Sequence, residues 1–183
     1  MISDEEAYWQ YLDGIEQGAD ILVDRYGDAL TYYIHGYIHD IHESDLMIEA
    51  FSKIFAKERP IKGNGSFRAY LYKTARNLTI RHNQKHKLWF LHLDDLTFDL
   101  PSEELVDTKL RQTERERQLY EAMAKLKTEY REALYLVSLE GMSYREAGKI
   151  LGKSEQQITN LVHRGKKSLK IILEQEGFVY ADE

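Results

Sequence analysis

Apolar side chains return every three or four positions through most of this chain, the spacing of helices with one buried face. Residues 5–18 read as a first helix, with Tyr8, Trp9, Tyr11, Leu12 and Ile15 on its apolar side and Gly18 as its breaker. Asp20 is placed to cap a second helix over 21–38, whose apolar set is Ile21, Leu22, Tyr26, Leu30, Tyr33, Ile34 and Tyr37. Ser44 opens a third, SDLMIEAFSKIFAK, with Leu46, Met47, Ala50, Phe51, Ile54 and Phe55 as the buried stripe. Arg59 to Phe67 holds a proline, two glycines and an asparagine, so it reads as a loop. Ser66 then caps a fourth helix, Phe67 to about Lys87, with Phe67, Tyr70, Leu71, Thr74, Ala75, Leu78 and Ile80 apolar.

The periodicity lapses from Leu88 to about Thr108, a stretch that contains Pro101 and reads as a linker with a short ordered piece at 89–93. It resumes from Lys109 to Leu126, and again after Thr128, taken as the cap of EYREALYLVSLEG. Gly141 ends that helix. The stretch SYREAGKILGKSEQQITNLVHRGKKSLKIIL then spells two helices with a tight turn. Gly152 follows the first, as a left-handed C-terminal residue would. Ser154 caps the second, which carries Ile158, Leu161, Val162, Leu169 and Ile172 on or near one face. Gly148 lets the second helix cross closely, with Ile158 filling the gap. The expectation is an all-α protein of two small helical domains, 5–87 and 112–175, joined by a flexible acidic linker over 88–111.

Composition supports this picture and narrows it. The chain has 183 residues, 43% of them hydrophobic, which is enough for two helical cores. It has no cysteine, which fits a reducing cytoplasm, and its acidic N-terminus lacks a signal-peptide layout. No apolar run nears the roughly 20 residues of a membrane helix. The net charge of −6 argues at first against nucleic acid. The distribution reverses that inference: residues 57–87 carry nine basic groups against one acidic, and 141–172 carry seven against two. Residues 1–56, with two basic and twelve acidic groups, and 88–108, with six acidic and none basic, hold the balance.

Each basic island has its own chemistry. The second helix of the C-terminal pair offers Gln156, Gln157, Thr159, Asn160, His163 and Arg164 for base edges or backbone, and Lys166, Lys167 and Lys170 for phosphates. Helix 67–87 interleaves aromatics with cations beside a flexible loop, which suits single-stranded nucleic acid. His35, His39 and His42, and the pair His82 and His86, have the spacing of metal ligands, but no cysteine or HExxH pattern supports them. No metal and no cofactor is expected. No nucleotide loop or catalytic triad order stands out, so an enzyme is not indicated. A stand-alone helix-turn-helix regulator with an N-terminal sensing or dimerisation domain explains the C-terminal half, but not the basic aromatic island at 57–87.

Taken together, these residues resemble the extracytoplasmic-function (ECF) sigma factors, the small two-domain initiation factors of bacterial RNA polymerase. LKTEYREALYLVSLEGMSYREAGKILGKSEQQITNLVHRGKKSL is similar to their region 4, and DLMIEAFSKIF and GSFRAYLYKTARNL to elements of their region 2. Ile48 stands where the family usually has Gln, Tyr70 where it has Trp, Thr74 where it has Ile, Gly148 where Ala is common, and Leu161 where many members are basic.

The resemblance implies a mechanism and a set of roles. Region 2 would bind the clamp helices of the largest subunit of core RNA polymerase through the 45–55 helix, with Asp45, Glu49, Phe51 and Lys53 as contacts. It would open the −10 element of promoter DNA with Lys62, Asn64, Ser66, Phe67, Arg68, Lys73, Arg76, Asn77 and Arg81. There the 62–67 loop would form a pocket and Asn77 would help hold a flipped base; such capture offsets the few kcal/mol that unstacking costs. Region 4 would put its recognition helix into the −35 major groove. An anti-sigma factor is a further partner that many members have.

Overall fold

A computed structural model describes residues 2–38, 43–61, 66–90 and 114–177, and among them every regular element is a helix. The chain divides into two compact units, Met1–Pro101 and Ser102–Glu183. No helix among the described residues is long and apolar enough to cross a membrane.

The first unit holds α1 (Asp4–Leu12), α2 (Gln17–His35), α3 (Glu43–Phe55) and α4 (Phe67–Phe90). Ser3 and Glu6 close a reciprocal capping box at the start of α1: Glu6 N–H donates to Ser3 Oγ at 3.2 Å and Ser3 N–H to Glu6 Oε2 at 2.7 Å. These bonds hold the Glu6 carboxyl below the usual carboxylate range. α1 stops at Leu12, and Gly14 makes the turn with φ +84°. Gly18 therefore does not break the first helix. It lies in the opening turn of the second, where a Cβ would fall 2.1 Å from the Ala7 carbonyl oxygen and 2.7 Å from Tyr11 N. Its role is to let α2 lie against the backbone of α1. Asp20 is likewise a first-turn residue and not the cap, because α2 begins at Gln17. Ser44 is inside α3, which begins at Glu43.

Aromatic residues knit this unit together. Tyr8, Phe67 and Tyr72 are buried, with ring centroids 5.4 Å apart for Tyr8–Phe67 and 5.1 Å, edge-on, for Tyr33–Tyr72. Leu22, Leu30, Ile34, Ile54 and Leu71 fill the space between at 0% exposure. Each such side chain contributes about 2 kcal/mol by leaving water. The core face of α4 is turned from the expected one. Tyr72 and Thr79 are at 0% exposure, whereas Tyr70, Thr74 and Ile80 are only half-buried. Thr79 is admitted because its hydroxyl donates to the Arg76 carbonyl at 2.8 Å. Hydroxyls also tie the helices to their connections: Tyr8 to the Arg59 carbonyl at 3.0 Å and Tyr11 to the Phe55 carbonyl at 3.2 Å. Asn83 donates to the Tyr37 carbonyl at 3.1 Å. Asp4 accepts from both Arg25 and Tyr26. Burial and the bond to Asp4 hold the Tyr26 hydroxyl protonated well above its ordinary range.

The second unit holds α5 (Glu114–Ala124), α6 (Thr128–Leu134), α7 (Tyr144–Leu151) and α8 (Glu155–Gln175). Lys127, with no side-chain bond, occupies the cap position of α6, so Thr128 is the first helical residue and not the cap. α6 does not continue as a regular helix to Gly141. A π turn, Tyr135–Leu139, comes next, closed by Glu140 N–H on the Tyr135 carbonyl at 2.9 Å. Five successive residues, Glu132 to Leu136, are buried, more than one face of an α-helix can hold. The wider turn re-aims the chain, and Leu139 emerges 38% exposed. Residues 91–113, which take in most of the expected 88–111 linker and the expected start of the helix from Lys109, lie outside the described residues. The helix expected to end near Lys87 runs on to Phe90.

Candidate nucleic-acid and protein interfaces

The recognition helix of the second unit is assembled from local signals. Ser143 and Glu146 form a capping box at α7, with Glu146 N–H on Ser143 Oγ at 3.2 Å and Ser143 N–H on Glu146 Oε2 at 3.0 Å. α7 ends at Gly152, left-handed at φ +66°. Lys153 N–H then returns to the Gly148 carbonyl at 2.9 Å. A Cβ on Gly148 would sit 2.5 Å from the Lys153 carbonyl oxygen and 3.7 Å from Ile158 Cγ1. The close approach that requires Gly148 is thus chiefly that of the turn, with α8 beside it. Ser154 opens α8 through a second reciprocal box with Gln157, a partner the sequence reading missed although the serine and glutamine stand three apart.

Ile158, Val162, Gly165 and Leu173 bury one side of α8, with Leu161, Leu169 and Ile172 at its half-buried margin. Gly165, also unremarked in the sequence, marks where α8 crosses α6. A Cβ there would lie 3.1 Å from Leu134 Cδ1. On the other side Gln156, Gln157, Thr159, Asn160, His163, Arg164, Lys166, Lys167 and Lys170 are all exposed. Of these, Gln157 is occupied in the cap, its Oε1 accepting from Ser154 N–H at 2.8 Å. Thr159 donates its hydroxyl to the Glu155 carbonyl at 2.9 Å. Beneath the turn, Lys153 pairs with Glu129 at 2.9 Å. Glu132, 4% exposed on α6, has its carboxyl pushed up to about 7 by burial, with Lys153 pulling the other way. Burial lowers the neighbouring Arg131 guanidinium, which donates to the Ala124 carbonyl at 2.9 Å.

In the first unit α4 carries Lys73, Asn77, Arg81 and Lys85 exposed at four-residue steps, one cationic and amide stripe along the helix. Arg68 and Arg76 are half-buried at its side. Ser66 caps α4 through the Ala69 N–H at 3.2 Å. Lys57 lies over the Tyr70 ring, its ammonium 4.9 Å from the centroid. Phe67 is corrected from a contact residue to a core residue: it is 1% exposed, packed against Tyr8 and Tyr26. Lys62 and Asn64 lie outside the described residues.

On α3 the expected surface residues separate in the same way. Asp45, Glu49 and Lys53 are exposed at four-residue steps, with Glu49 and Lys53 paired at 2.5 Å. Ile48 stands among them, 57% exposed. Phe51 is corrected to the core, 4% exposed and stacked on Phe55, because it shares the buried face with Ala50 and Ile54. Among the described residues no group of three or more His, Cys, Asp or Glu stands together as metal ligands; His39 and His42 lie outside them.

Residues 116–169, from within α5 to within α8, match the family described as Sigma-70, region 4. The ECF RNA polymerase sigma factor SigM of Bacillus subtilis is 30% identical over 128 residues, covering 70% of this chain and 77% of that protein. RNA polymerase sigma factor YlaC of the same organism is 27% identical over 168 residues, 88% of this chain and 92% of that one, so the similarity runs through both units. In fold, the chain is similar to the sigma factor RpoE of Bartonella quintana, solved in complex with the anti-sigma factor NepR, at a TM-score of 0.68 and 20% identity over 85% of this chain and 96% of that one. A regulator that shared only the helix-turn-helix would not match through its N-terminal half as well. With two helical units, a capped recognition helix and relatives that span both, this chain belongs to the ECF sigma factors, the transcription initiation factors of RNA polymerase.

Proposed function

We propose that the first unit carries the contact with core RNA polymerase and the opening of the −10 element, and that the second reads the −35 element. α3 meets the clamp helices of the largest subunit with Asp45, Ile48, Glu49 and Lys53. The α4 stripe, Lys73, Asn77 and Arg81, with Arg68 and Arg76 beside it, follows the separated strand, and Ser66 with Lys62 and Asn64 borders the flipped base. α8 enters the major groove with Gln156, Asn160, His163 and Arg164 toward the bases and Lys166 and Lys167 toward phosphates. The observation that carries this reading is the exposed polar side of α8, set by a glycine turn and a capping box and carrying Arg164, Lys166, Lys167 and Lys170 along its second half. The protein does no bond chemistry of its own. It acts wherever the polymerase acts, and an anti-sigma factor is a partner of the kind its structural relative binds.

The test is retention of bacterial core RNA polymerase by the full chain, compared with Asp45→Arg plus Glu49→Arg. Both positions are exposed, so the variant should keep its helical signal and melting temperature while retention falls at least tenfold. Equal retention by the two proteins would remove α3 from the polymerase contact.

A further inference from the structure

The recognition side of α8 is divided. Its first turns carry no cation: after Glu155 at the helix start, Gln156, Gln157, Thr159 and Asn160 are exposed and neutral, and Leu161 is half-buried. The cations begin only at Arg164 and continue with Lys166, Lys167 and Lys170. Lys153, the cation nearest the start of the helix, is held by Glu129 at 2.9 Å. Behind Glu155, the end of the helix that enters deepest therefore offers neutral amide and hydroxyl groups and no cation.

Two of these four are committed locally. Gln157 belongs to the cap, and the Thr159 hydroxyl is turned back onto the Glu155 carbonyl. Gln156 and Asn160 remain. They lie one helical turn apart and touch, Gln156 Nε2 standing 3.4 Å from Asn160 Oδ1. In this contact Gln156 donates one N–H and Asn160 accepts with its carbonyl oxygen. The Gln156 carbonyl oxygen and the Asn160 amide N–H groups take no part in that contact, and both residues are exposed. In the major groove adenine shows the complement, the N7 acceptor beside the N6 amino donor, whereas guanine shows two acceptors.

We propose that the Gln156–Asn160 pair is the specificity element of this factor and selects an adenine in the −35 element. The proposal rests on the placement of α8 in the −35 groove. The pair acts as one fork supplied by two side chains: the interresidue contact fixes the spacing of the free acceptor and donor before DNA arrives. The expected selectivity for adenine over guanine at that position is on the order of tenfold.

The experiment uses the full chain assembled with bacterial core RNA polymerase and a pool of duplexes randomised over ten positions upstream of a fixed −10 region. Captured DNA is sequenced for the wild type, Gln156→Ala, Asn160→Ala, Asn160→Arg, and Lys166→Ala plus Lys167→Ala. The expected result is one strongly selected adenine that Gln156→Ala and Asn160→Ala each flatten, with selection elsewhere kept. Asn160→Arg should move the preference at that position toward guanine, whose two acceptors suit a guanidinium. The lysine variant should lower capture of all sequences alike. Selection at several positions with no adenine responding to either amide substitution overturns the proposal while leaving −35 reading by α8 in place. A pool that stays random throughout, with capture indifferent to the lysine variant, overturns both.

Discussion

The two units position their working helices by opposite means. In the first, α3 and α4 are held by side chains that reach far along the chain: Tyr8 to the Arg59 carbonyl, Tyr11 to the Phe55 carbonyl, and Asn83 to the Tyr37 carbonyl. In the second, α7 and α8 are set by contacts three to five residues apart: two capping boxes, a left-handed glycine and the Lys153–Gly148 bond. The first arrangement fixes surfaces through packing, and its functional faces carry little of the fold. The second fixes the recognition helix through its own sequence, and some of its exposed residues are structural.

Breaking the backbone approach in each unit should give the largest effects. Gly18→Ala sets a Cβ 2.1 Å from one backbone atom and 2.7 Å from a second, so α1 and α2 must separate. A loss of about 3 kcal/mol or more is expected in the stability of the first unit, read by chemical denaturation. Gly148→Ala meets a single carbonyl at 2.5 Å and regains about 1 kcal/mol of helix propensity, so the second unit should lose less. An equal loss in both would mean that the α1–α2 contact yields as easily as a turn.

Glu132 gives the next effect, confined to the second unit. Burial raises its folded value to about 7 from an ordinary 4.5, so between those values the folded unit binds more protons than the unfolded chain. Stability therefore falls as pH rises from about 4.5 to 7 and stays at the lower level above. Glu132→Gln removes that cost and should raise stability by about 2 kcal/mol at pH 8, with the gain vanishing by pH 4.5. Denaturation curves of the two proteins across this range decide it; parallel curves would mean that the burial of Glu132 does not cost charge.

The same contrast explains how much of the molecule is legible in the chain. Gly152 and Ser154 announce their roles to neighbours a few residues away, so the helix-turn-helix is legible, whereas the Ser143–Glu146 box, the partner glutamine of the second box and Gly165 escape notice. Asp20, Ser44 and Thr128 look like caps by the same local rule, but each helix has already begun at or before them. Gly18 looks like a breaker because nothing nearby in sequence reveals that the Ala7 carbonyl lies against it. Phe51 and Phe67 fall at motif positions for surface contact, but their helical phase, shared with Ile54 and Leu71, puts them inside. Tyr72 and Thr79 escape because a hydroxyl hides an inward-facing residue from an apolar count.

Removing one hydrogen bond of each kind sharpens the comparison. Tyr11→Phe loses the bond to the Phe55 carbonyl and should cost the first unit about 1 kcal/mol. Ser154→Ala loses the α8 box and should cost the second unit a similar amount. The two should differ in function. Ser154→Ala also frees Gln157 and loosens the turn that presents Gln156 and Asn160, so promoter selectivity by the assembled polymerase should weaken. Tyr11→Phe should leave selectivity unchanged, and a matching loss there would tie the reading of the −35 element to the first unit.

The smallest expected change in stability is at the Glu49–Lys53 pair. Its side chains are 45% and 46% exposed, and an ion pair four residues apart on a helix surface contributes only a few tenths of a kcal/mol. Glu49→Ala and Lys53→Ala should each shift the melting temperature by no more than a degree or two. Retention of core polymerase should nonetheless fall with Glu49→Ala, since the carboxylate stands on the α3 face beside Asp45 and Ile48 and holds none of the packing beneath it. Retention unchanged in both variants would take the charged stripe out of the contact and leave Ile48 as its centre. A retention loss accompanied by an equal loss of folded protein would show instead that the face of α3 supports its own helix, as the capped face of α8 does.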